Sequence, residues 1–367
     1  MNLRISTEIL KDMVARSFKG ASCNKLIPLS TMMSIKCKNG KLVLTTTDGI
    51  NYLYISKKVD NTEDFDVVIY AEQFSRLVAK VTCDMVEMEV KNNALEIKAG
   101  GTYRLDIPLD EGEYIQYPDP LSEINIADQQ GIEVKSSVIE SILDSCKPSL
   151  ATTLEVPCYT GYFCGENVIT TNTFNISILD ANLFSENVLV APEYMELLAL
   201  MTEEKFYCYL DGDTILSTSE DCTVVGKKLD GIEDYPVGAI LDYASQELES
   251  SCKIRKSVML SILDRISLFV GPYDENVIHL IFEQGGIRVE SKQDNGVEYI
   301  DYSKIDNFKP FEGMADIQLL TSLLKAYPEE EVKVCFGNPR TMKLEGNGIK
   351  FVSAWIVSDD GEGDLNE

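Results

Sequence analysis

A pattern that recurs about every 120 residues constrains this chain of 367 residues more than any other feature. Residues 66–98 show the pattern clearly, as an apolar strand, an amphipathic helix that opens at Ala71, and a hairpin that turns at Asn92-Asn93. Matching helices are predicted to open at Pro192, which is 121 residues later, and at Ala315, which is a further 123 residues on.

A second landmark gives nearly the same spacing. The strands that follow an earlier hairpin turn place Leu42, Val168 and Ile287 alike, and these residues are 126 and 119 positions apart. Two landmarks with one period predict three copies of one domain. We therefore predict an α+β chain of three tandem domains, each with two helices packed on antiparallel sheets, at residues 1–122, 123–248 and 249–358. An acidic tail is predicted at residues 359–367.

Composition narrows the class of protein further. Hydrophobic residues make up 44% of the chain, and no apolar run approaches the ~18 residues that a membrane span needs. The chain reaches charged residues at once, so no signal peptide is predicted. Its 10 Cys include no Cys-x-x-Cys pair, which fits reduced thiols in a cytoplasmic protein. The one His, His279, lies in an apolar strand pattern, so neither a cofactor nor a metal site is expected.

Several segments resemble those of one known family. They are Leu26-Ile27-Pro28-Leu29, the strand at 40–48 that ends in Thr-Thr-Thr-Asp, residues 68–74, and the Tyr-Pro pairs that end at Pro118 and Pro236. Together with the chain length, the number of repeats and the order of elements, they resemble the bacterial β sliding clamp. That protein is the processivity subunit of the replicative DNA polymerase.

The resemblance implies a function without catalysis. In that family two three-domain chains close head to tail into a six-domain ring, with the helices lining the hole. The ring encircles double-stranded DNA without sequence preference. It tethers the replicative DNA polymerase, the clamp loader and other proteins that carry a clamp-binding motif. Because this chain has no Gly-Lys-Ser/Thr phosphate loop, a separate ATP-driven loader is expected to open the ring.

The distribution of charge fits a ring on DNA. The formal net charge is -27, but the six predicted helices (about 7–19, 72–80, 134–147, 193–201, 253–265 and 316–325) carry +3, which leaves -30 elsewhere. A mildly basic lining suits sliding, since phosphate contacts have to stay weak. The alternative for each basic residue is a solvated helix charge, and Glu72, Val237, Glu193 and Glu196 depart from the family's basic pattern. The residues expected to contact DNA are Lys11, Arg16, Lys19, Lys25, Arg76, Lys80, Lys135, Lys147, Lys256, Arg265 and Lys325.

The resemblance also implies an apolar pocket, between the second and third domains, that receives a short peptide from each partner protein. An exposed apolar cleft with an aromatic anchor suits such a peptide. For Trp355, the only Trp, the alternative is a core residue on the last strand. The ending Ala354-Trp355-Ile356 differs from the family's usual one, so the preferred peptide stays open. By position the pocket residues are Tyr159, Thr171, Ile176, Ile232, Pro236, Val237, Val352, Trp355 and Ile356.

The same resemblance places a seam between two copies of the chain. It would join an edge strand of the first domain, with Tyr103, Leu105 and Ile107, to the third domain near Leu268 and Phe269. Open strand edges pair readily across chains. The alternative is that these residues pack only within their own domains.

Two further classes of function remain as alternatives. One is a clamp-like adaptor or decoy that binds replication proteins without encircling DNA, which the strong acidity and the altered end of the chain suggest. The other is an enzyme, such as a hydrolase with paired carboxylates. Most Asp and Glu residues, however, alternate outward on the predicted strands as solubilising charges, and this pattern favours a protein that is not an enzyme.

Overall fold

The computed structural model describes residues 3–22, 24, 26–61, 63–126, 129–270, 276–291 and 295–356. Lys25 and the predicted acidic tail at residues 359–367 lie outside the described residues. No helix in the described ranges is long and apolar enough to cross a membrane.

Seven α-helices are present in the described part of the chain. Six correspond to the predicted helices, and the seventh, α5, was not predicted although Val237, Ile240, Leu241 and Ala244 follow a helical spacing. Its start directly after Tyr235-Pro236 and its Gly238 obscured that signal. The helices are α1 (Thr7–Phe18), α2 (Ala71–Ala79), α3 (Ser136–Cys146), α4 (Pro192–Leu198), α5 (Val237–Ser245), α6 (Lys256–Ile266) and α7 (Ile317–Ala326).

The strands fall into three series along the chain. The first series is β1 (Leu3–Ser6), β2 (Met32–Lys38), β3 (Lys41–Thr47), β4 (Tyr52–Lys58), β5 (Asp60–Asn61), β6 (Phe65–Tyr70), β7 (Met85–Lys91), β8 (Ala94–Lys98) and β9 (Thr102–Asp106), followed by the small hairpin of β10 (Leu109–Asp110) and β11 (Glu113–Tyr114). The second series is β12 (Ile132–Lys135), β13 (Tyr162–Cys164), β14 (Val168–Thr171), β15 (Asn175–Leu179), β16 (Val188–Val190), β17 (Lys205–Asp211), β18 (Thr214–Thr218) and β19 (Cys222–Lys227). The third series is β20 (Ser250–Arg255), β21 (Val277–Phe282), β22 (Gly286–Ser291), β23 (Val297–Asp301), β24 (Lys304–Asp306), β25 (Phe311–Asp316), β26 (Glu331–Phe336), β27 (Thr341–Gly346) and β28 (Ile349–Ala354).

Each series repeats one order of elements. A strand leads into a helix, three antiparallel strands follow, a further strand leads into a second helix, and three more antiparallel strands complete the unit. The predicted α+β class with three tandem copies is therefore confirmed. The domain boundaries at 122, 248 and 358 stay predictions.

Two large sheets run across the junctions between successive repeats. The eight-stranded sheet has the order β12-β17-β18-β19-β4-β3-β2-β6, and the nine-stranded sheet has the order β16-β13-β14-β15-β28-β27-β26-β20-β24. A five-stranded sheet (β5-β1-β7-β8-β9) and a four-stranded sheet (β23-β22-β21-β25) complete the first and third repeats. The first repeat pairs with the second through β4 and β19, and the second pairs with the third through β15 and β28.

By internal contacts the chain divides into two compact units. One comprises Met1–Ile139, Leu183–Glu186 and Val190–Lys228, and the other comprises Glu140–Asn182, Asn187–Leu189 and Leu229–Glu367. The second repeat contributes to both units because one of its strand sets pairs with the first repeat and the other pairs with the third.

The helices bury their apolar faces as their spacing predicts. In α1, Leu10, Met13 and Val14 are fully buried, and α2 buries Phe74 and Val78 in the same unit. Each such side chain contributes roughly 1.5–3 kcal/mol on burial. In the third repeat α6 and α7 pack on a core of strand residues that includes Phe282, Phe336 and Phe351.

Candidate functional site

The basic residues predicted to contact DNA fall into three groups. Lys19, Lys80, Lys135, Lys147 and Lys325 have exposed side chains, whereas Lys11 is half-buried. Arg76, Arg265 and Lys256 form a second group, whose side chains are exposed or half-buried but pair with other residues of the chain. Arg16 forms the third group and is buried. The positions of these groups decide which cations are available to a phosphate.

Four of the exposed lysines lie at helix ends rather than along the helices. Lys19 and Lys80 are the C-terminal capping residues of α1 and α2, Lys147 directly follows α3, and Lys135 directly precedes it. Cations near a helix C-terminus are favoured by the helix dipole by about 0.3–1 kcal/mol.

The observed helix bounds correct the predicted charge. The six helices other than α5 contain six Lys and Arg against eight Asp and Glu, a net charge of -2 rather than the predicted +3. The difference arises because Lys253 and Arg255 lie on β20, and the end lysines fall just outside the helical bounds. The helices themselves are therefore not basic overall, and Lys19, Lys80, Lys135 and Lys147 lie just outside their bounds.

Arg16 is a correction to the predicted DNA contacts. Its side chain is buried, and Nη1 lies 2.8 Å from Oδ2 of Asp221 in the second repeat. Nη2 donates to the carbonyl oxygen of Leu200 at 2.9 Å. Lys57 Nζ, 2.9 Å from Asp221, adds a second cation. Arg16 therefore joins the first repeat to the second instead of facing a phosphate.

This ion pair perturbs both partners. Burial by itself would raise the pKa of Asp221, but the hydrogen bonds from Arg16 and Lys57 outweigh it and lower that pKa to about 2. The pKa of Arg16 is raised, since the bond to Asp221 and its charge outweigh the effect of burial.

Three other predicted DNA contacts have partners within the chain. Arg76 pairs with Glu72 at 2.6 Å on the exposed face of α2, and Arg265 Nε donates to Glu298 at 2.6 Å. Lys256 Nζ donates to the carbonyl oxygen of Tyr327 at 2.7 Å. The first two pairs are exposed and therefore weak.

Four of the predicted pocket residues meet in one place. Tyr159, Ile176, Ile232 and Val237 are half-buried and pack on one apolar cluster of the second unit; these four residues are called the pocket surface below. Beneath them the Tyr235 ring lies edge-on to Tyr159 at 5.5 Å, and the Tyr235 hydroxyl donates to the Ile169 carbonyl at 3.2 Å. Burial raises the pKa of Tyr235, so it stays a neutral structural support.

Strand pairing brings two further predicted residues to this surface. Thr171 on β14 lies opposite Ile176 on β15, and Ile176 lies opposite Val352 on β28. Thr171 and Val352 are buried, so they flank Ile176 in the sheet without being exposed themselves. Pro236 caps the N-terminus of α5 and accepts the backbone N–H of Ile240 at 3.0 Å.

Trp355 is a correction to the predicted pocket. Only 7% of it is exposed, and its ring packs 5.4 Å from Phe311 and 6.4 Å from Phe282 in the core of the third repeat. Its Nε1–H donates to the Asn338 carbonyl at 3.0 Å. Trp355 is therefore a core residue and not an exposed anchor. Ile356 is bonded to Met314 through its backbone N–H at 2.8 Å.

Three exposed apolar side chains that are close in sequence to the pocket residues were missed. Leu154 precedes Glu155 and Val156 near Tyr159, Leu241 lies one turn beyond Val237 on α5, and Phe174 occupies the β14–β15 turn. Their exposed fractions are 78%, 36% and 70% respectively.

The Phe174 turn shows how the repeats are related. Asn172 Oδ1 accepts the backbone N–H groups of Phe174 and Asn175, as Asp48 Oδ1 accepts those of Ile50 and Asn51 in the first repeat. Comparison of the repeats in the sequence would have found this signal.

At the predicted seam, the first repeat ends its five-stranded sheet with β9. Tyr103 on this strand is 43% exposed, but Leu105 and Ile107 are buried inside their own repeat. Leu105 and Ile107 therefore follow the alternative of packing within their own domain, and the prediction that their side chains reach a second chain is corrected. Within the described residues, the outer edge of β9 has no strand partner.

The third repeat presents a second edge strand that was not predicted. β23 ends the four-stranded sheet, and its Val297 and Tyr299 are exposed. Leu268 and Phe269, which were predicted for the seam, are exposed at the end of α6, and Phe269 lies against the backbone at Gly296 just before β23. An apolar strip thus borders the open edge of β23.

Within the described part of the chain, no three His, Cys, Asp or Glu residues are placed to hold a metal ion. Burial raises the pKa of Cys146, Cys208 and Cys252 to about 12, so these thiols are protonated at neutral pH.

Comparisons with known proteins point to one family. Residues 1–118 match the family model described as the DNA polymerase III beta subunit, N-terminal domain. No curated protein sequence matches the chain.

Solved structures match over nearly the whole length. The DNA polymerase sliding clamp of Bacillus subtilis is 19% identical with a TM-score of 0.85, and the alignment covers 98% of this chain and 99% of that one. The beta subunit of Streptococcus pyogenes DNA polymerase is 15% identical with a TM-score of 0.86, covering 98% and 100%. The beta subunit of Thermotoga maritima DNA polymerase III is 15% identical with a TM-score of 0.81, and the alignment covers 97% of this chain and 99% of that one. Residues 1–118 thus match the model of the DNA polymerase III beta subunit N-terminal domain, and over its whole length the chain has the fold of the solved bacterial sliding clamps.

Proposed function

We propose that this protein is a sliding clamp: two copies close head to tail into a six-domain ring that encircles duplex DNA and tethers the replicative polymerase in the cytoplasm. It performs no catalysis. One observation carries the proposal. Both junctions inside the chain are made by strand pairing in the same register. Two further strands, β9 and β23, have open edges that can make a third such junction with a second copy.

The register is the same at both internal junctions. At the first, Leu53 of β4 lies opposite Val224 of β19. At the second, Ser177 of β15 lies opposite Phe351 of β28. Leu53 and Ser177 each follow the residue that pairs with the last Thr of the preceding strand, so they are equivalent positions.

The equivalent position in the third repeat is Gly296, directly before β23. In the first repeat the buried Thr46, five residues beyond Lys41 at the hairpin, pairs with Leu53. In the third repeat the buried Ser291, five residues beyond Gly286, donates its backbone N–H to the Gly296 carbonyl at 3.0 Å. Gly296 therefore takes the place of Leu53, and the exposed Val297 follows it on β23.

The equivalent position on β9 is Tyr103. Val224 pairs with Ser217, which lies three residues beyond the end of the β17–β18 hairpin. Tyr103 pairs with Ile97, which lies three residues beyond the end of the β7–β8 hairpin. The proposed seam thus sets Tyr103 of one copy opposite Gly296 of the other, and Thr102, which precedes Tyr103, opposite Val297.

DNA would be held by enclosure rather than by affinity. The exposed lysines at the helix ends supply a few weak phosphate contacts. Each contact releases counterions from the DNA, so the affinity falls as the salt concentration rises. Weak contacts suit a ring that has to slide. The clamp loader and other proteins with a clamp-binding motif, like the polymerase, would dock a peptide on the pocket surface.

A cross-linking experiment tests the seam. Residues directly opposite across antiparallel strands have Cα atoms about 4.5–5.5 Å apart, which a disulfide can span. A chain carrying both Thr102→Cys and Val297→Cys is expected to form a covalent dimer under oxidation. The matched control, Thr102→Cys with Tyr299→Cys, moves the second thiol two residues out of register and is expected to form far less.

The unoxidised ring should also be loaded on DNA and then oxidised, because a covalently closed ring cannot open to admit circular DNA. The oxidised ring is expected to stay on circular DNA and to leave linear DNA. Equal loss from both would refute encirclement. A stable monomer that still binds polymerase peptides would favour the adaptor or decoy instead, an alternative suggested by the net negative charge of the helices.

A further inference from the structure

The pocket surface lies in a part of the chain that has no cations. Residues 148–204 contain eight Asp and Glu and no Lys, Arg or His, and residues 229–252 contain six Asp and Glu and again no Lys, Arg or His. These two segments supply Tyr159, Ile176, Ile232 and Val237, together with the exposed Leu154, Phe174 and Leu241.

Four exposed carboxylates directly border this surface. Glu155 precedes Val156 of the apolar cluster, Asp230 follows Leu229, and Glu233 and Asp234 stand between Ile232 and Tyr235. A Cβ built on Gly231 would lie 3.7 Å from Cys158 Cβ and 4.0 Å from Asp234 Oδ2, so the Asp234 carboxylate is close to the cluster.

The nearest lysines of the third repeat are committed elsewhere. Lys343 is buried, and its Nζ donates to the carbonyl oxygen of Ala244 at 3.0 Å and also to that of Gln246. Lys350 Nζ donates to Ala244 at 3.1 Å and lies 3.8 Å from Glu345. Both lysines therefore neutralise the C-terminal end of α5. Arg340, just before β27, is a further cation of the third repeat and is exposed.

We propose that the peptide this surface binds carries Lys or Arg on both sides of its apolar residues; this rests on the proposed peptide-binding role. Apolar contacts with Tyr159, Ile176 and Phe174 supply the affinity. The four bordering carboxylates select among apolar peptides by charge, because complementary potentials raise the rate of association and like charges oppose it. Acidic peptides with the same apolar residues are rejected.

Three peptides of equal length test the proposal. Each carries the same Leu and Phe residues, and the flanking positions are Lys, Ser or Glu. Binding to the full chain is measured by fluorescence anisotropy. The Lys-flanked peptide is expected to bind about tenfold more tightly than the Glu-flanked one at about 50 mM salt, with the Ser-flanked peptide between them. At about 0.5 M salt the difference is expected to fall to about twofold, since screening shortens the range of the carboxylates.

Two variants of equal charge change separate local from overall charge. Glu233→Lys is expected to remove most of the preference for the Lys-flanked peptide. Glu166→Lys, at the exposed β13–β14 turn and outside the four bordering carboxylates, is expected to leave the preference unchanged. Equal effects of the two variants would overturn the local assignment.

The outcomes distinguish this proposal from the proposed function. If none of the three peptides binds, or if Tyr159→Ala leaves their binding unchanged, the peptide-docking role of this surface fails. If all three bind equally, or if the Glu-flanked peptide binds best, the charge preference is overturned while the docking role stands.

Discussion

The buried contact between Arg16 and Asp221 gives a sharp prediction of stability. Asp221 is 3% exposed and forms ion pairs with Arg16 and Lys57. Asp12, the other carboxylate near Arg16, has a side chain that is 53% exposed and lies 3.4 Å from Arg16 Nη1. Asp221→Asn removes the charge with little change in shape. Asp12→Asn is the matched control, since it removes a charge from the same arginine at the surface.

The magnitude follows from the pKa of Asp221. A decrease from 3.8 to about 2 corresponds to about 2.5 kcal/mol of stability at neutral pH, at about 1.4 kcal/mol for each unit. Asp221→Asn also leaves Arg16 buried without its anion, so a loss of about 2–4 kcal/mol is expected. Asp12→Asn is expected to cost about 0.3 kcal/mol, as for an exposed pair one helical turn apart.

The pH dependence has a definite sign. The pKa of Asp221 is lower in the folded chain than in the unfolded chain, so its contribution is present above pH ~4 and is lost as the pH falls towards ~2. The difference between wild type and Asp221→Asn is therefore expected to be constant from about pH 5 to 8 and to shrink only in strong acid.

Urea unfolding followed by circular dichroism measures this loss. A decrease of about 2 kcal/mol would lower the midpoint of the affected transition by roughly 1 M, given an m-value of about 2 kcal/mol/M. Hydrogen exchange should rise first in α1 and β19, which carry or adjoin the two residues. If Asp221→Asn unfolds within about 0.5 kcal/mol of wild type at pH 7, or Asp12→Asn costs as much, the structural role of this ion pair is refuted.

Three further predictions concern other parts of the chain. Gly313→Ala is expected to destabilise the third repeat by about 1–3 kcal/mol, because a Cβ there would lie 2.7 Å from the Trp355 ring; Trp fluorescence during unfolding measures this, and unchanged stability would contradict the packing. Phe174→Ala is expected to weaken peptide binding about five- to tenfold, whereas Ile50→Ala, the equivalent turn residue of the first repeat, is expected to leave it unchanged; equal effects would exclude a specific contact. Lys80→Glu is expected to shorten the residence time of the loaded ring on circular DNA at low salt but not at high salt, and a salt-independent effect would argue against a phosphate contact.

The sequence predicted the repeating unit because alternation and helical spacing are local properties. The three second helices, the hairpins after them and the apolar faces of α1, α2, α6 and α7 all appear where the spacing places them. The predicted helix bounds differ from the observed ones by a few residues, and this difference changes the sign of the net charge of the helices. The local pattern cannot decide whether a lysine at a helix end belongs to the helix, because it fits the spacing either way.

The fates of individual side chains depended on packing between distant segments. Arg16 has the spacing of an exposed basic residue, yet Asp221, 205 positions away, draws it inward. Trp355 follows an alternating strand as a pocket anchor would, but the aromatic cluster of the third repeat covers it. The edge strand β23 was missed because an edge is defined by the absence of a neighbour, which no local pattern records.

By itself the sequence determined the number of repeats, the order of strands and helices in each, and the acidic surface, since these follow from periodicity and composition. Only the tertiary structure decided which charges are buried in pairs, which apolar residues stay exposed beside Tyr159, and which strands end their sheets. These properties depend on which segments meet in three dimensions, and the free energy of burial or pairing at each contact is set by residues far apart in the chain.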